Sequence, residues 1–320
     1  MRRVGVVSNP GSRRNRAGLE SLRAVLARHP DALHAEARRV EDLEGIFHEF
    51  ARREVDLVVV NGGDGTVHSA LTALCNSCAF EQMPALGVLP TGMTNLIAQD
   101  VGLAGRPETA LARLLEQAGS GGRIDCVSRP LLSLTTAADR PPLYGMFFGT
   151  AAFYQAVQMA RREVHPTGAR GSVAFAMSLT LAIWRALSGR TNQPGPLFQG
   201  QTMTIDLDGV RQSGERYFLV LATTLRHLIL GLMPFWGHGH GHIRYTSVSF
   251  PPARLARALL PALRGRPRPW MIERGYVSRA VDDIAIATDE PLVIDGEFVT
   301  PEPNVPVLLR SDREVTFVRC

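Results

Sequence analysis

The stretch that most constrains this chain is Val55-Asp56-Leu57-Val58-Val59-Val60-Asn61-Gly62-Gly63-Asp64-Gly65-Thr66. An apolar run of strand length ends in a glycine-rich turn. A helical pattern follows, with Val67, Leu71, Leu74, Cys75 and Cys78 on one face. Glycines let a backbone approach an anion closely, and a helix starting there presents free N–H groups with partial positive charge. The unit reads as a phosphate cradle. Asp64 inside it would repel a bare phosphate, so its carboxylate calls for a metal ion, a hydroxyl to deprotonate, or both.

The surrounding pattern alternates strand and helix. Val4–Val7 is a short buried strand, and Leu19, Leu22, Val25 and Leu26 form one helix face. Residues 32–40 fit a second strand ambiguously. Leu43, Ile46, Phe47 and Phe50 fall at i, i+3, i+4, i+7, an amphipathic helix. Ala85–Leu89 is a further strand, ending in Pro90-Thr91-Gly92-Met93-Thr94-Asn95, and a helix over 107–118 precedes Arg123–Val127. Apolar strands between amphipathic helices predict a doubly wound parallel sheet, an α/β domain over residues 1–125. Ligands of such sheets bind beyond the carboxyl ends of the strands. Asn9, Gly62–Thr66 and Gly92–Asn95 all lie there.

From residue 126 the pattern changes to mainly antiparallel strands with helical inserts, and Asp208-Gly209 signals a hairpin. Ser172–Leu187 is apolar nearly all round, which implies burial or contact with lipid. Pro251–Leu263 holds another helical stretch, and Gly189–Gly200 reads as a loop. A chain of 320 residues exceeds what one core usually serves, so two domains are expected.

Composition removes several chemistries. All 35 basic residues are arginine. Walker-type phosphate loops and protein kinases use a lysine, and a Schiff base requires one, so phosphate contacts fall to arginine. The formal charge of +5 suits anionic substrates or membrane surfaces, or simply reflects a coding bias toward arginine; no nucleic-acid-reading motif is present. Cys75 and Cys78 fit the apolar stripe of their helix as buried thiols, while Cys126 and Cys320 stand alone, so no structural zinc set is supplied. The first residues are too quickly polar for a signal peptide, and no apolar run reaches membrane-spanning length. A cytoplasmic protein is expected, with docking on the inner membrane face as the further expectation.

Asn9-Pro10, Gly62-Gly63-Asp64-Gly65-Thr66, Pro90-x-Gly92-x-x-Asn95 and the late Asp295-Gly296-Glu297, in this order, resemble the diacylglycerol kinase and sphingosine kinase superfamily, its bacterial soluble lipid kinases above all. The resemblance spans nearly the whole chain. It implies a nucleotide-binding N-terminal domain, a β-sandwich lipid-substrate domain over 126–305, and a return of residues 306–320 to the first domain. The nucleotide is then expected between the domains. The implied activity is ATP-dependent phosphorylation of a lipid hydroxyl, of diacylglycerol, a sphingoid base or ceramide. ATP and Mg²⁺ are the implied cofactors, a membrane lipid is the partner, nucleic acid is not, and a homodimer is an open assembly.

The implied catalytic residues are Asp64, Glu297 and Asp295, with Asp64 and Glu297 both open as the base. The implied nucleotide-binding set is Asn9, Asn61, Gly62, Gly63, Gly65, Thr66, Gly92, Thr94 and Asn95. Met93 departs from the family, which carries Thr or Ser there; Thr94 takes over that phosphate contact, or the contact is lost. A kinase of a soluble acceptor, of the NAD kinase kind, shares the glycine-aspartate turn. A non-catalytic nucleotide- or lipid-binding regulator is the third reading. A dinucleotide dehydrogenase is disfavoured, since no Gly-x-Gly-x-x-Gly follows the first strand. His238, His240 and His242 alternate with glycines and suit either a flexible loop or a transition metal.

Overall fold

The computed structural model describes residues 2–92, 94–167, 199–228 and 231–319. Met93, the apolar stretch Ser172–Leu187, most of the loop expected over Gly189–Gly200, and Cys320 lie outside the described residues. The chain forms two compact units, Met1–Arg129 with Glu314–Cys320, and Pro130–Arg313.

The first unit is built on strands β1 (Val4–Ser8), β2 (Leu33–Glu36), β3 (Leu57–Gly62), β4 (Ala85–Pro90) and β5 (Asp125–Pro130). With the C-terminal strand Glu314–Arg319 they order as β2-β1-β3-β4-C-terminal strand-β5. The pairs β1–β2, β1–β3, β3–β4 and β4–C-terminal strand are parallel. Its helices are α1 (Glu20–Leu26), α2 (Asp42–Arg52), α3 (Asp64–Ser77), α4 (Leu96–Val101) and α5 (Pro107–Ser120). Successive strand side chains point to opposite faces, so a strand buried throughout needs cover on both. β1 and β3 are buried along their whole length. Leu22 and Val25 of α1 and Leu111 and Leu114 of α5 join Val4, Val6, Leu57 and Val59 in one core. Phe50 of α2 covers the opposite direction, where a Cβ on Gly5 would come 2.6 Å from its ring. Each fully buried leucine here contributes on the order of 1.5–3 kcal/mol relative to exposure.

Helix ends follow local rules. Pro107 opens α5, where no N–H partner is required, and Gly121 ends it at φ 70°. Cys75 is buried as expected, but Cys78 is exposed, because it is the residue that ends α3, at φ 50°.

The second unit contains two sheets. One runs from Val210–Arg211 through Thr204–Leu207, Asp283–Ala287, Val307–Arg310 and Leu132–Thr135 to Leu143–Gly145. The other runs from Tyr276–Val281 through Ile243–Ser249, Arg216–Thr223, Phe147–Ala151 and Leu292–Ile294 to Glu297–Val299. Ile205, Ile286 and Leu309 of the first share one core with Phe148, Tyr245 and Ile294 of the second, which makes a sandwich. Asp208 and Gly209, at φ 48° and 78°, form the hairpin turn read from the sequence.

The expected return from residue 306 starts later, at Glu314. Val307–Arg310 pairs antiparallel with Asp283–Ala287 and Leu132–Thr135 inside the sandwich. Only Glu314–Arg319 crosses back, with Phe317 beside Leu86 of β4. Arg129, at the outgoing crossing, forms a buried pair with Asp100 of α4, at 2.9 and 3.3 Å, and Arg319 on the returning strand bonds the Asp100 carbonyl.

Candidate functional site

β3 ends at Gly62, Gly63 caps α3, and Asp64 is the first residue of that helix. β4 ends at Pro90, and the next loop closes on itself. Gly92 N–H donates to Asn95 Oδ1 at 2.8 Å, and Asn95 Nδ2 donates back to Gly92 O at 3.2 Å. Asn95 sits at φ 51°, a left-handed conformation that asparagine tolerates, and caps α4. The two glycine turns touch through their backbones. A Cβ on Gly92 would lie 2.4 Å from Gly63 Cα, and one on Gly63 would lie 3.0 Å from Gly92 Cα. A Cβ on Gly62 would meet the Thr66 side chain at 2.3 Å. Bulk is excluded at all of these positions by close approach, not by backbone angle.

The β1 end joins them. Asn9 Nδ2 donates to Thr66 Oγ1 at 2.9 Å, and Asn9 Oδ1 accepts from Gly11 N–H at 2.8 Å. Asn61 Nδ2 donates to Ser8 Oγ at 3.0 Å, and His34 Nε2 is 3.0 Å from the same hydroxyl. Burial holds the His34 imidazole below its ordinary value; Glu36 opposes this and Arg23 adds to it. Asn15 Nδ2 donates to the carbonyls of Asn9 and Asn61 at 2.8 and 3.3 Å. Thr94 O accepts from Gln99 Nε2 at 3.1 Å. Every member of the expected nucleotide-binding set therefore stands at the carboxyl ends of β1, β3 and β4, in the turns that follow or, for Gly65 and Thr66, in the first turn of α3.

Beside them is a cleft of about 370 Å³ lined by Arg14, Asn15, Asn61, Thr91, Arg106 and Glu108, among others. Asn61 Oδ1 and Thr91 Oγ1 are buried and meet no hydrogen-bond partner among the described residues. Buried polar atoms in native folds are nearly always paired, so these two reserve a place for a ligand or water. Thr91, Asn15 and Arg106 were not anticipated. Thr91 follows the strand end directly and Arg106 precedes the proline that opens α5, so position alone could have flagged both.

The three acidic residues differ in what they hold. Asp64 Oδ1 accepts from Ile97 N–H at 3.0 Å, so the carboxylate is half-buried between the starts of α3 and α4. It sits in the first turn of one helix and caps the other, where helix dipoles favour negative charge. Asp295 lies in the second unit at the tip between Leu292–Ile294 and Glu297–Val299. Its side chain is buried, and its oxygens accept from the N–H groups of Met146, at 3.0 and 3.2 Å, and Phe147, at 2.9 Å. Its carboxylate thus fixes the turn to its own sheet. Glu297 is half-exposed, 3.5 Å from Arg161 of the helix Ala152–Thr167. Arg161 also bonds the Gly296 carbonyl and lies 4.4 Å from the Phe298 ring centre. Asp64 belongs to the first unit, and Asp295 and Glu297 to the second.

The alternating histidines have a packing reason. A Cβ on Gly237, Gly239 or Gly241 would fall 2.1–2.3 Å from the backbone of Ser278–Val281. The glycines face that strand and the histidines are exposed. Among the described residues no group of three or more histidine, cysteine or acidic side chains is placed to hold a metal.

Residues 3–126 match the diacylglycerol kinase catalytic domain family. The protein named "Probable lipid kinase YegS" from Shigella flexneri is 43% identical over 79 residues, which are 24% of this chain and 25% of that protein. The counterpart in Escherichia coli O1:K1 is 43% identical over 83 residues, 26% of each chain. The match thus spans about a quarter of the length of these curated relatives. The crystal structure of a diacylglycerol kinase from Bacillus anthracis str. Sterne superposes with a TM-score of 0.60 at 16% identity, over 98% of this chain and 96% of that one. That likeness is one of fold, and it extends through both units. The first unit thus matches the diacylglycerol kinase catalytic domain family, and the fold of both units is shared with the Bacillus anthracis structure.

Proposed function

We propose that this chain is an ATP-dependent kinase that phosphorylates the hydroxyl of a membrane lipid, with diacylglycerol, a sphingoid base or ceramide as the acceptor class. The observation that carries it is the pair of glycine turns in backbone contact, with Asp64 between two helix starts and the unpaired oxygens Asn61 Oδ1 and Thr91 Oγ1 beside them. These residues suit a nucleoside triphosphate. Helix N-termini and glycine backbone favour phosphate oxygens. Asn61 Oδ1 can accept a hydrogen bond from a hydroxyl or amine, Thr91 Oγ1 can give or accept one, and Arg14 and Arg106 offer positive charge on the rim. Magnesium is commonly held by one or two carboxylates plus substrate phosphates, and Asp64 is the carboxylate at the glycine turns. When bound, such an ion would neutralise phosphate charge.

Asp64 orients the acceptor hydroxyl or takes its proton, and Glu297 is the second acid with that capacity. An alcohol is a weak nucleophile, so positioning and charge neutralisation outweigh base strength. A soluble acceptor is the second reading. Yeast NADH kinase superposes at TM-score 0.50 and 12% identity, over 100% of this chain and 84% of that one. The test incubates the protein with ATP labelled in the γ-phosphate and a panel of lipids, then separates organic from aqueous phases. Label in an extracted phospholipid is expected. Label only in aqueous products points to the soluble acceptor, and label in neither phase contradicts a kinase.

The protein is proposed to work in the cytoplasm, at the inner membrane face; no helix among the described residues is long and apolar enough to cross a membrane.

A further inference from the structure

Helices Leu255–Leu263 and Pro269–Glu273 cover a small core of Val248, Ala258, Met271 and Tyr276 in the second unit. Their outer surface is unusual in two ways at once. Leu260 and Ile272 are 55% and 61% exposed, although nothing in the chain's own core requires them there. In the same segment Arg254, Arg257, Arg264, Arg266, Arg268 and Arg274 are all exposed. From Pro251 to Gly275 the only carboxylate side chain is Glu273. Among the described residues none of those arginines meets a carboxylate at ion-pair distance. Arg257, Leu260 and Arg264 follow at i, i+3 and i+7, so they share one face, and Ile272 sits between Arg268 and Arg274 in sequence. Gly265, between the helices at φ 61°, lies against Met233, whose carbonyl a Cβ there would approach to 2.7 Å.

We propose that this face docks on an anionic lipid bilayer. Both of its chemistries are met there: arginines reach phosphate and glycerol oxygens at the headgroup level, while Leu260 and Ile272 enter the apolar boundary. A nucleic acid would pair the arginines but leave the aliphatic side chains in water. The proposal rests on the lipid-kinase reading for its purpose, since the acceptor resides in a membrane. The binding itself needs neither nucleotide nor acceptor.

The test is co-sedimentation of the full chain with vesicles of phosphatidylcholine alone, or with roughly a third phosphatidylglycerol, in the absence of ATP. The wild-type chain should bind the anionic vesicles and release as salt rises. Each arginine near an anionic surface is worth roughly fivefold in partitioning. Arg257→Gln/Arg264→Gln/Arg268→Gln should therefore lower binding by about 100-fold. Leu260→Ser/Ile272→Ser should weaken it by at least ~10-fold, each side chain losing several buried CH₂ and CH₃ groups. All substituted side chains are exposed, and unchanged melting temperatures would show intact folding. Wild-type binding equal on neutral and anionic vesicles would overturn the proposal. So would variants that bind as wild type, or duplex DNA bound more tightly than vesicles and insensitive to the leucine–isoleucine change. Vesicle binding alongside absent phosphotransfer would sustain the surface while removing the kinase reading.

Discussion

Asp64 and Asp295 are each followed by glycine, and each sits at a turn between a strand and the next element, yet they hold different things. Asp64 caps a second helix with one oxygen and remains half-buried beside glycine turns that exclude side chains. Asp295 is buried, at φ 48°, with its carboxylate engaged by backbone N–H groups of a neighbouring strand. An acidic turn is a site only where the surrounding backbone leaves room for a ligand. The Asp295 carboxylate is held by the N–H groups of Met146 and Phe147, whereas Asp64 accepts from Ile97 N–H where the two glycine turns meet.

Breaking the comparison at Asp64 should have the largest effect. Asp64→Asn keeps an oxygen for Ile97 N–H, so thermal unfolding should shift little, while the rate of phosphotransfer falls at least ~10²-fold. A folded variant with near-wild-type turnover would remove Asp64 from the chemistry. Asp295→Ala should act through stability instead. It leaves the Met146 and Phe147 donors buried and unpaired, and it puts alanine in a left-handed conformation. A loss of about 3 kcal/mol in urea unfolding is expected. A loss below ~1 kcal/mol would mean that those hydrogen bonds contribute little.

Gly92→Ala sharpens the same contrast from the backbone side. Its Cβ would collide with Gly63, so a cost of roughly 1–3 kcal/mol and a weaker nucleotide affinity should appear together. Affinity unchanged by calorimetry would show that the contact between the turns does not shape the binding surface. Glu297→Gln is expected to leave stability within ~0.5 kcal/mol, because its partner Arg161 is exposed as well. Any fall in turnover there reports on chemistry and not on folding.

The smallest effect concerns pH. The folded state holds the His34 imidazole below its ordinary value of 6.5, mainly through burial. As pH falls the unfolded chain therefore takes up its proton first. This contribution to stability is whole above about pH 6.5 and declines as pH drops from there toward the lowered folded value. His34→Gln should flatten the slope of melting temperature against pH over that range.

The parallel sheet and the meeting of Asn9, Gly62–Thr66 and Gly92–Asn95 were legible because they rest on local signals: apolar runs of strand length, helix periodicity and glycine at strand ends. The engagement of Asp295 was not legible, since its partners Met146 and Phe147 lie in a distant part of the chain and contribute only backbone N–H groups, which every residue type offers. Arg161 beside Glu297 is hidden for the same reason of distance. The crossing at Arg313/Glu314 escaped because Val307–Arg310 and Glu314–Arg319 carry similar alternation, and only pairing partners separate them. The Gly-His repeat carried a signal, but for packing: the glycines answer a neighbouring strand and the histidines fill the exposed places between.

The central claim is that the glycine turns of the first unit receive the nucleotide. Hydrogen exchange by mass spectrometry, with and without Mg-ATP, tests it without presuming any acceptor. The account predicts slowed exchange in peptides covering Gly62–Thr66, Thr91 and Asn95. Exchange unchanged there at saturating nucleotide, with protection confined to other segments, would contradict it.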